Sequence, residues 1–211
     1  LAPFISEEIS MISASNFQRR ASASLMVPTK ETALGGQSVL SVWDTYVELG
    51  DAAYRNGHAD VALMMLKAAL KEANHPAEDD DRLCDVLFRM AYVYHQQKRY
   101  KKSEVLLKRS LETAEHDIGK SDMDLCPILD LLAESAAAEG RLEKAERYYK
   151  RSLAIARRAH GRKDGRTARW LLNLMALYKS FGRLPEASIC KERARELDPN
   201  CLTSFVPPLS A

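Results

Sequence analysis

A small residue recurs four times along this chain at an almost constant spacing. Ala62, Ser103, Ala145 and Ala187 are separated by intervals of 41, 42 and 42 residues. Each stands early in the second of two amphipathic segments, where two closely crossing helices leave room for little more than a methyl group. A unit of this size cannot bury its own apolar face, so the copies are expected to stack on one another.

Each copy has the pattern of a helical hairpin. Apolar residues recur at spacings of three and four, the periodicity of one face of an α-helix. Gly57, Gly140 and Gly182 separate the two halves of the first, third and fourth copies, and glycine suits such a turn because it tolerates a positive φ. The four predicted helix pairs span residues 41–74, 82–116, 124–159 and 166–199.

The composition supports an all-α protein and argues against several classes of function. Hydrophobic residues make up 46% and charged residues 28% of the 211 residues, as in a globular chain rich in helix formers. The net charge of +2 is too small to indicate nucleic-acid binding, and the sequence has no apolar run long enough to span a membrane. We therefore expect neither nucleic acid nor membrane as a partner.

Motifs that carry catalysis are missing from the sequence. The four cysteines form no C-x-x-C pair, and no phosphate-binding loop, nucleophile elbow or metal-protease spacing occurs. We expect no enzymatic activity, no metal and no cofactor. Without a disulfide framework, a reducing compartment such as the cytoplasm is the default expectation.

The first 40 residues differ from the repeats. They are rich in serine and polar residues, and we predict one helix over residues 4–17 followed by a linker. Arg19 and Arg20 precede Ser22 in the pattern of a basophilic kinase substrate, so Ser22 is a candidate phosphorylation site. The Arg- and Ser-rich, acid-poor character of this segment also resembles an organelle transit sequence, which makes a mitochondrion or plastid the alternative location.

The rest of the chain divides into a repeat domain and a tail. The four helix pairs make one predicted domain over residues 41–200, and residues 201–211 form a short C-terminal tail. The tail contains Pro207 and Pro208 and is too short for a full capping helix. The outer face of the fourth pair is therefore a candidate surface for a partner or for a second copy of the chain.

The first and fourth copies resemble the tetratricopeptide repeat. The matching positions are Tyr46, Leu49, Gly50, Gly57, Ala62 and Ala69 in the first copy and Leu171, Leu174, Tyr178, Gly182, Ala187, Ala194 and Pro199 in the fourth. The usual repeat has about 34 residues, whereas the spacing near 42 resembles the kinesin light chain subclass. The resemblance implies a right-handed α-solenoid of four helix hairpins, in which the first helix of each repeat lines a concave face.

Candidate peptide contacts lie between the apolar positions of these first helices. The candidates are Asp44, Val47, Glu48, Asp51, Tyr54 and Arg55 in repeat one, Asp85, Phe88, Arg89, Tyr92 and His95 in repeat two, Asp130 and Glu134 in repeat three, and Arg169, Asn173 and Lys179 in repeat four. Repeat one is acidic, repeat two aromatic, and repeat four basic. We expect a peptide with an apolar or aromatic centre and charge polarity along its length. The resemblance to kinesin light chains implies that Asn173 bonds the peptide backbone.

The sequence thus predicts a non-catalytic scaffold or adaptor that binds a protein or peptide in the concave groove. The alternative is a structural or regulatory subunit that assembles through the ends of the solenoid, for example as a homodimer through its terminal repeats. A third hypothesis places residues 1–40 in the groove as an autoinhibitory segment.

Overall fold

A computed structural model of the chain describes residues 41–73, 80–203, 205 and 207. The predicted N-terminal helix, the autoinhibitory segment and Ser22 lie outside this range. The described residues contain eight α-helices and no strand. The helices are α1 (Val42–Arg55), α2 (Ala59–Ala73), α3 (Asp80–Gln96), α4 (Tyr100–Asp117), α5 (Cys126–Ala138), α6 (Leu142–His160), α7 (Ala168–Ser180) and α8 (Leu184–Leu197).

The helices pack as four consecutive hairpins, α1 with α2, α3 with α4, α5 with α6 and α7 with α8. Each hairpin packs in turn on the next through the second helix of one and the first helix of the following one. The first helices α3 and α5 also contact each other. The chain is an α-solenoid, in which the first helices line what we call the inner face and the second helices line the outer face.

The recurring small residues lie where the sequence predicts close helix crossings. Ala62, Ser103 and Ala145 are 0% exposed and Ala187 is 6% exposed. In the first repeat the partner across the crossing is Gly50, since a Cβ added there would lie 3.0 Å from the Leu66 side chain. The prediction that the register of the repeats follows these small residues is confirmed.

The hairpin turns share one backbone conformation, in which the residue before the second helix has a positive φ. Gly57, Gly140 and Gly182 have φ values of 80°, 73° and 72°, as predicted. In repeat two the same place is occupied by Lys98, with φ of 58°. A side chain in this left-handed region costs about 1–2 kcal/mol relative to the ordinary helical region, so the second turn is strained.

Carboxylates on the outer helices join neighbouring repeats. Glu104 of α4 accepts hydrogen bonds from Arg141 and Lys144 of the next repeat and from Lys108, at 2.8 Å. Burial raises the pKa of Glu104, but these three cations outweigh it and bring the pKa to about 2. Glu146, one period later, contacts Arg183 at 3.6 Å and accepts a hydrogen bond from the Tyr178 hydroxyl at 2.8 Å.

Two residues that the sequence places on apolar stripes are exposed in the structure. Leu49 of α1 is 51% exposed and Ile189 of α8 is 54% exposed. Both belong to terminal repeats, where the stack provides a neighbour on one side only, so an apolar position can be left without a covering helix. The prediction that they are buried is wrong.

Candidate peptide-binding face

The inner face brings several predicted contacts from different repeats together. Asp51 of α1 meets Arg89 of α3, Tyr54 meets Tyr92, and His95 meets Glu134 of α5. These contacts join side chains that are 38 to 40 residues apart in the sequence. The first three repeats therefore present one continuous polar and aromatic surface.

Arg89 is enclosed by carboxylates of its own chain. Its Nε donates to Asp85 Oδ2 at 2.8 Å, and its Nη1 donates to Asp51 Oδ2. The Arg89 side chain is only 10% exposed. Burial lowers the pKa of Arg89, but Asp85 and Asp51 raise it by more, so the guanidinium stays charged. Because its charge is neutralised internally, Arg89 stabilises the face between repeats one and two and leaves it with a surplus of negative charge.

Aromatic rings cover the next part of the face. Tyr54 and Tyr92 pack edge to face, with ring centroids 5.7 Å apart and an interplanar angle of 80°. Beside them a cleft of about 30 Å³ is lined by residues that include Phe88, Tyr92 and Arg89. This volume matches about one water molecule, so the cleft is too small for a whole side chain, and a ligand here would lie across the rings.

His95 is a neutral hydrogen-bonding group at the border of repeats two and three. Its Nδ1 lies 3.0 Å from Ser135 Oγ, and its Nε2 lies 3.6 Å from Glu134 Oε2. Its ring packs edge to face on Tyr100 at 5.2 Å. Burial lowers the pKa of His95 from 6.5 to about 4. At neutral pH the contact with Glu134 is therefore not an ion pair.

Asp130 lies in an enclosed position near the packing of repeat three on repeat four. Burial raises the pKa of its carboxyl to about 6, against the opposing influence of Ser152, Arg169 and Trp170. Its Oδ1 is enclosed without a hydrogen-bond partner, as are Ser152 Oγ and Trp170 Nε1. Asp130 thus sits within the seam between repeats and is poorly placed to meet a peptide.

Three further predicted contacts are occupied elsewhere. Val47 is 7% exposed and packs in a core with Leu63 and Leu66 of α2. Asn173 is 6% exposed on α7. Asp44 completes a capping box, in which its carboxylate accepts from Ser41 N at 3.1 Å and Ser41 Oγ donates to it at 2.6 Å. The periodic pattern gave the helical face correctly but did not reveal which side chains the cap and the core consume.

The remaining predicted residues are accessible at the two ends of the face. Glu48 and Arg55 are exposed on α1, and Arg169 and Lys179 are exposed on α7. The acidic surplus around Asp51 thus lies at one end of the stack and exposed basic residues lie at the other. The structure gives this polarity to the two ends of the described repeats.

A larger concavity, which the sequence did not reveal, lies on the outer face between α6 and α8. It has a volume of about 640 Å³, and its lining includes Leu171, Leu174 and Tyr178 of α7. We call it the outer groove. The signal that could have found it is a change of residue type at equivalent repeat positions, and that change is analysed below.

No group of three or more metal-ligating side chains within residues 41–73 and 80–203 could hold a metal ion. None of the helices described by the structure combines the length and the hydropathy needed to cross a bilayer.

Sequence comparison identifies the repeats. Models of the tetratricopeptide repeat match residues 124–200 and residues 85–117, which together exceed half of the chain. The chain is a tetratricopeptide-repeat protein. Such repeats generally serve as non-catalytic scaffolds for protein–protein interaction. No curated protein matches the whole sequence.

Solved structures show the same fold at low sequence identity. BtubC (BKLC) from P. vanneervenii is 21% identical, with a TM-score of 0.67 over 93% of this chain and 74% of that one. A putative kinesin light chain from Podosopora anserina, with nearly identical TPR-like repeats, is 15% identical, with a TM-score of 0.63 over 95% of this chain and 90% of that one. MamA from MSR-1 is 19% identical, with a TM-score of 0.53 over 92% and 94%. The repeats are kinesin light chain-like in fold, as the sequence predicted.

Proposed function

We propose that this tetratricopeptide-repeat protein is an adaptor that binds a segment of a partner protein along its inner face. The observation that carries the proposal is the continuous surface formed by Asp51, Tyr54 and Tyr92 from two different repeats. Aromatic side chains of this kind provide large contact area at a low cost in conformational entropy.

The charges favour one orientation of the bound segment. The surplus of carboxylates around Arg89 favours a basic residue of the ligand near repeats one and two. Exposed Arg169 and Lys179 favour an acidic residue near repeat four. Between them, the Tyr54 and Tyr92 rings suit an apolar or aromatic side chain.

The proposal is tested by selecting peptides from a random display library on the full chain and measuring their affinity by fluorescence anisotropy. We expect enriched peptides to have an aromatic centre and opposite charges at their ends. Tyr92→Ala should weaken them at least tenfold, because the edge-to-face pair is lost. Tyr148→Ala, which removes the same side chain from the outer face, is the matched control and should leave affinity unchanged.

Arg89 is avoided in this experiment, since its loss would disturb the packing of repeat one on repeat two. Peptides that bind Tyr92→Ala and the parent protein equally well would exclude the inner face as their site.

A second candidate function is assembly through the ends of the solenoid, and one observation favours it. Large apolar side chains are exposed on the first repeat, with Val42 60%, Leu49 51% and Met64 56% accessible. Multi-angle light scattering over a range of protein concentrations tests this function. A monomer at every concentration would exclude self-assembly, whereas dimers that Met64→Lys dissociates would support it.

A further inference from the structure

The outer groove is a trough between two outer helices. The second helices of repeats three and four, α6 and α8, form its walls, and α7 lies beneath them. Leu171 and Leu174 of α7 and Leu153 of α6 line the groove and are buried, so the base of the trough is apolar. Ile189 lines the wall and is 54% exposed.

Arginines surround this apolar base. Arg157, Arg158 and Arg162 line the groove from the end of α6 and the loop after it, and Arg193 lines it from α8. Arg158 donates to Ser121 Oγ at 3.1 Å. Among the described residues, no carboxylate pairs with Arg157, Arg162 or Arg193, and Arg157 Nε is enclosed without a hydrogen-bond partner. The two carboxylates nearest the groove, Glu146 and Glu186, are already engaged by Lys150 and Arg183.

The preceding seam, between α4 and α6, shows what closes such a trough. There Tyr148 packs against the core, and Arg151 forms an ion pair with Glu115 at 2.6 Å. Counting 42 residues forward, Tyr148 becomes Cys190, Glu115 becomes Arg157, and Arg151 becomes Arg193. A large side chain is replaced by a small one, and an ion pair is replaced by two like charges.

These substitutions change both the shape and the charge of the same structural position. The loss of the phenol ring leaves apolar residues of α7 beneath an open trough. The change from Glu115 to Arg157 leaves Arg193 facing a cation where its equivalent faces an anion. Like charges held close together are unfavourable, so the groove is electrostatically complete only with an anionic group in it.

We propose that the outer groove binds an acidic amphipathic helix of a partner protein. From Lys150 to Arg162 the groove follows α6 for roughly 18 Å, about the length of a three-turn helix. A helix laid between α6 and α8 would place its apolar residues on the base and its carboxylates against the arginines, whose planar guanidinium groups hold carboxylates in bidentate pairs. This site lies on the opposite face from the proposed inner-face ligand and does not depend on it.

The test uses the full chain and a synthetic helical peptide with leucines at helical spacings of three and four and glutamates on both flanks. Binding of the labelled peptide is followed by fluorescence anisotropy at low and at physiological salt. We expect saturable binding that is at least tenfold tighter than that of the same peptide with lysines for glutamates. Binding should weaken as salt rises, because the ion pairs are partly exposed.

Variants of the protein locate the peptide. The double variant Arg157→Glu with Cys190→Tyr copies the closed seam and should reduce affinity at least tenfold. Ile189→Asp, at a half-exposed position where misfolding is not expected, should do the same by placing a charge on the apolar wall. Arg147→Glu makes the same charge change as Arg157→Glu outside the groove and should leave affinity unchanged. Circular dichroism checks that each variant retains its helices.

Four outcomes would overturn the proposal. These are no saturable binding of the acidic peptide, equal binding of the acidic and basic peptides, equal loss with Arg147→Glu, and retained affinity in both groove variants. Binding that appears only when residues 1–40 are deleted would assign the groove to this chain's own segment, which carries Glu7 and Glu8, and would also overturn the assignment to a partner. Displacement of the peptide by decanoate at equal affinity would assign the groove to a fatty anion instead.

Discussion

On the inner face of repeats one and two the protein's own groups satisfy one another, whereas in the outer groove of repeats three and four they do not. Arg89 is held by Asp51 and Asp85 beside a cleft of about 30 Å³. Arg157 and Arg193 line a groove of about 640 Å³ and have no ion-pair partner in the described part of the chain. A basic residue in the sequence therefore says little about ligand binding until its intramolecular partners are known.

The strongest way to break this comparison is to remove one arginine from each region. Arg89→Met should lower the free energy of unfolding by about 3–4 kcal/mol, because it leaves two carboxylates close together and partly buried. Arg193→Met, the matched change in the outer groove, should alter it by less than about 0.5 kcal/mol. Urea denaturation followed by circular dichroism measures both.

Adding Asp51→Asn to Arg89→Met should restore part of the lost stability, since one of the two uncompensated charges is removed. Equal effects of Arg89→Met and Arg193→Met would contradict the contrast between the two regions.

His95 supplies a difference that depends on pH, because arginines do not titrate in the accessible range. Its pKa is lowered from 6.5 to about 4 in the folded protein. Between these values the unfolded chain binds more protons, so the contribution of His95 to stability is lost as the pH falls. At 1.36 kcal/mol per pKa unit this loss approaches about 3 kcal/mol near pH 4.

The measurement is the free energy of unfolding of the parent protein and of His95→Gln at several values between pH 7 and pH 4. The difference between the two isolates His95 from Asp130, whose raised pKa gives a slope of the opposite sign, with stability gained as the pH falls below about 6. A difference that does not change with pH would show that His95 titrates normally in the folded protein.

The smallest expected effect concerns the turns of repeats two and three. Lys98→Gly should stabilise the protein by about 0.5–1 kcal/mol, because relief of the left-handed strain exceeds the added freedom of the unfolded chain. Gly140→Lys, the reverse change at the equivalent position, should destabilise it by a similar amount. Thermal unfolding measured by calorimetry distinguishes the two, and a destabilised Lys98→Gly would mean that the lysine side chain makes a contact worth more than the strain.

The sequence predicted the repeats well because their signals are local. Helical periodicity, the turn glycines and the buried positions of Ala62 and Ala145 all follow from interactions within one hairpin. It also placed Asp51 and Tyr92 on the same face, since the first helices are equivalent from one repeat to the next.

What it missed depends on non-local packing. Val47 is consumed by the core, Asp44 by a cap, and Asp130 by the seam with repeat four. Periodicity gives the direction of a side chain on its helix but not the distance to the neighbouring helix. The outer groove is missed for the same reason, because the exchange of Tyr148 for Cys190 has meaning only once both are known to lie between outer helices.

The stacking order of the helices also determines how a bound ligand would be felt elsewhere. Each hairpin packs on its immediate neighbours in the chain, and the described helices of repeats one and four make no extensive contact. Such a row of units frays from its ends, and each link transmits only part of the stabilisation applied to the next. Amide hydrogens should therefore gain most protection in α6, α7 and α8 when the outer groove is filled, and progressively less toward α1.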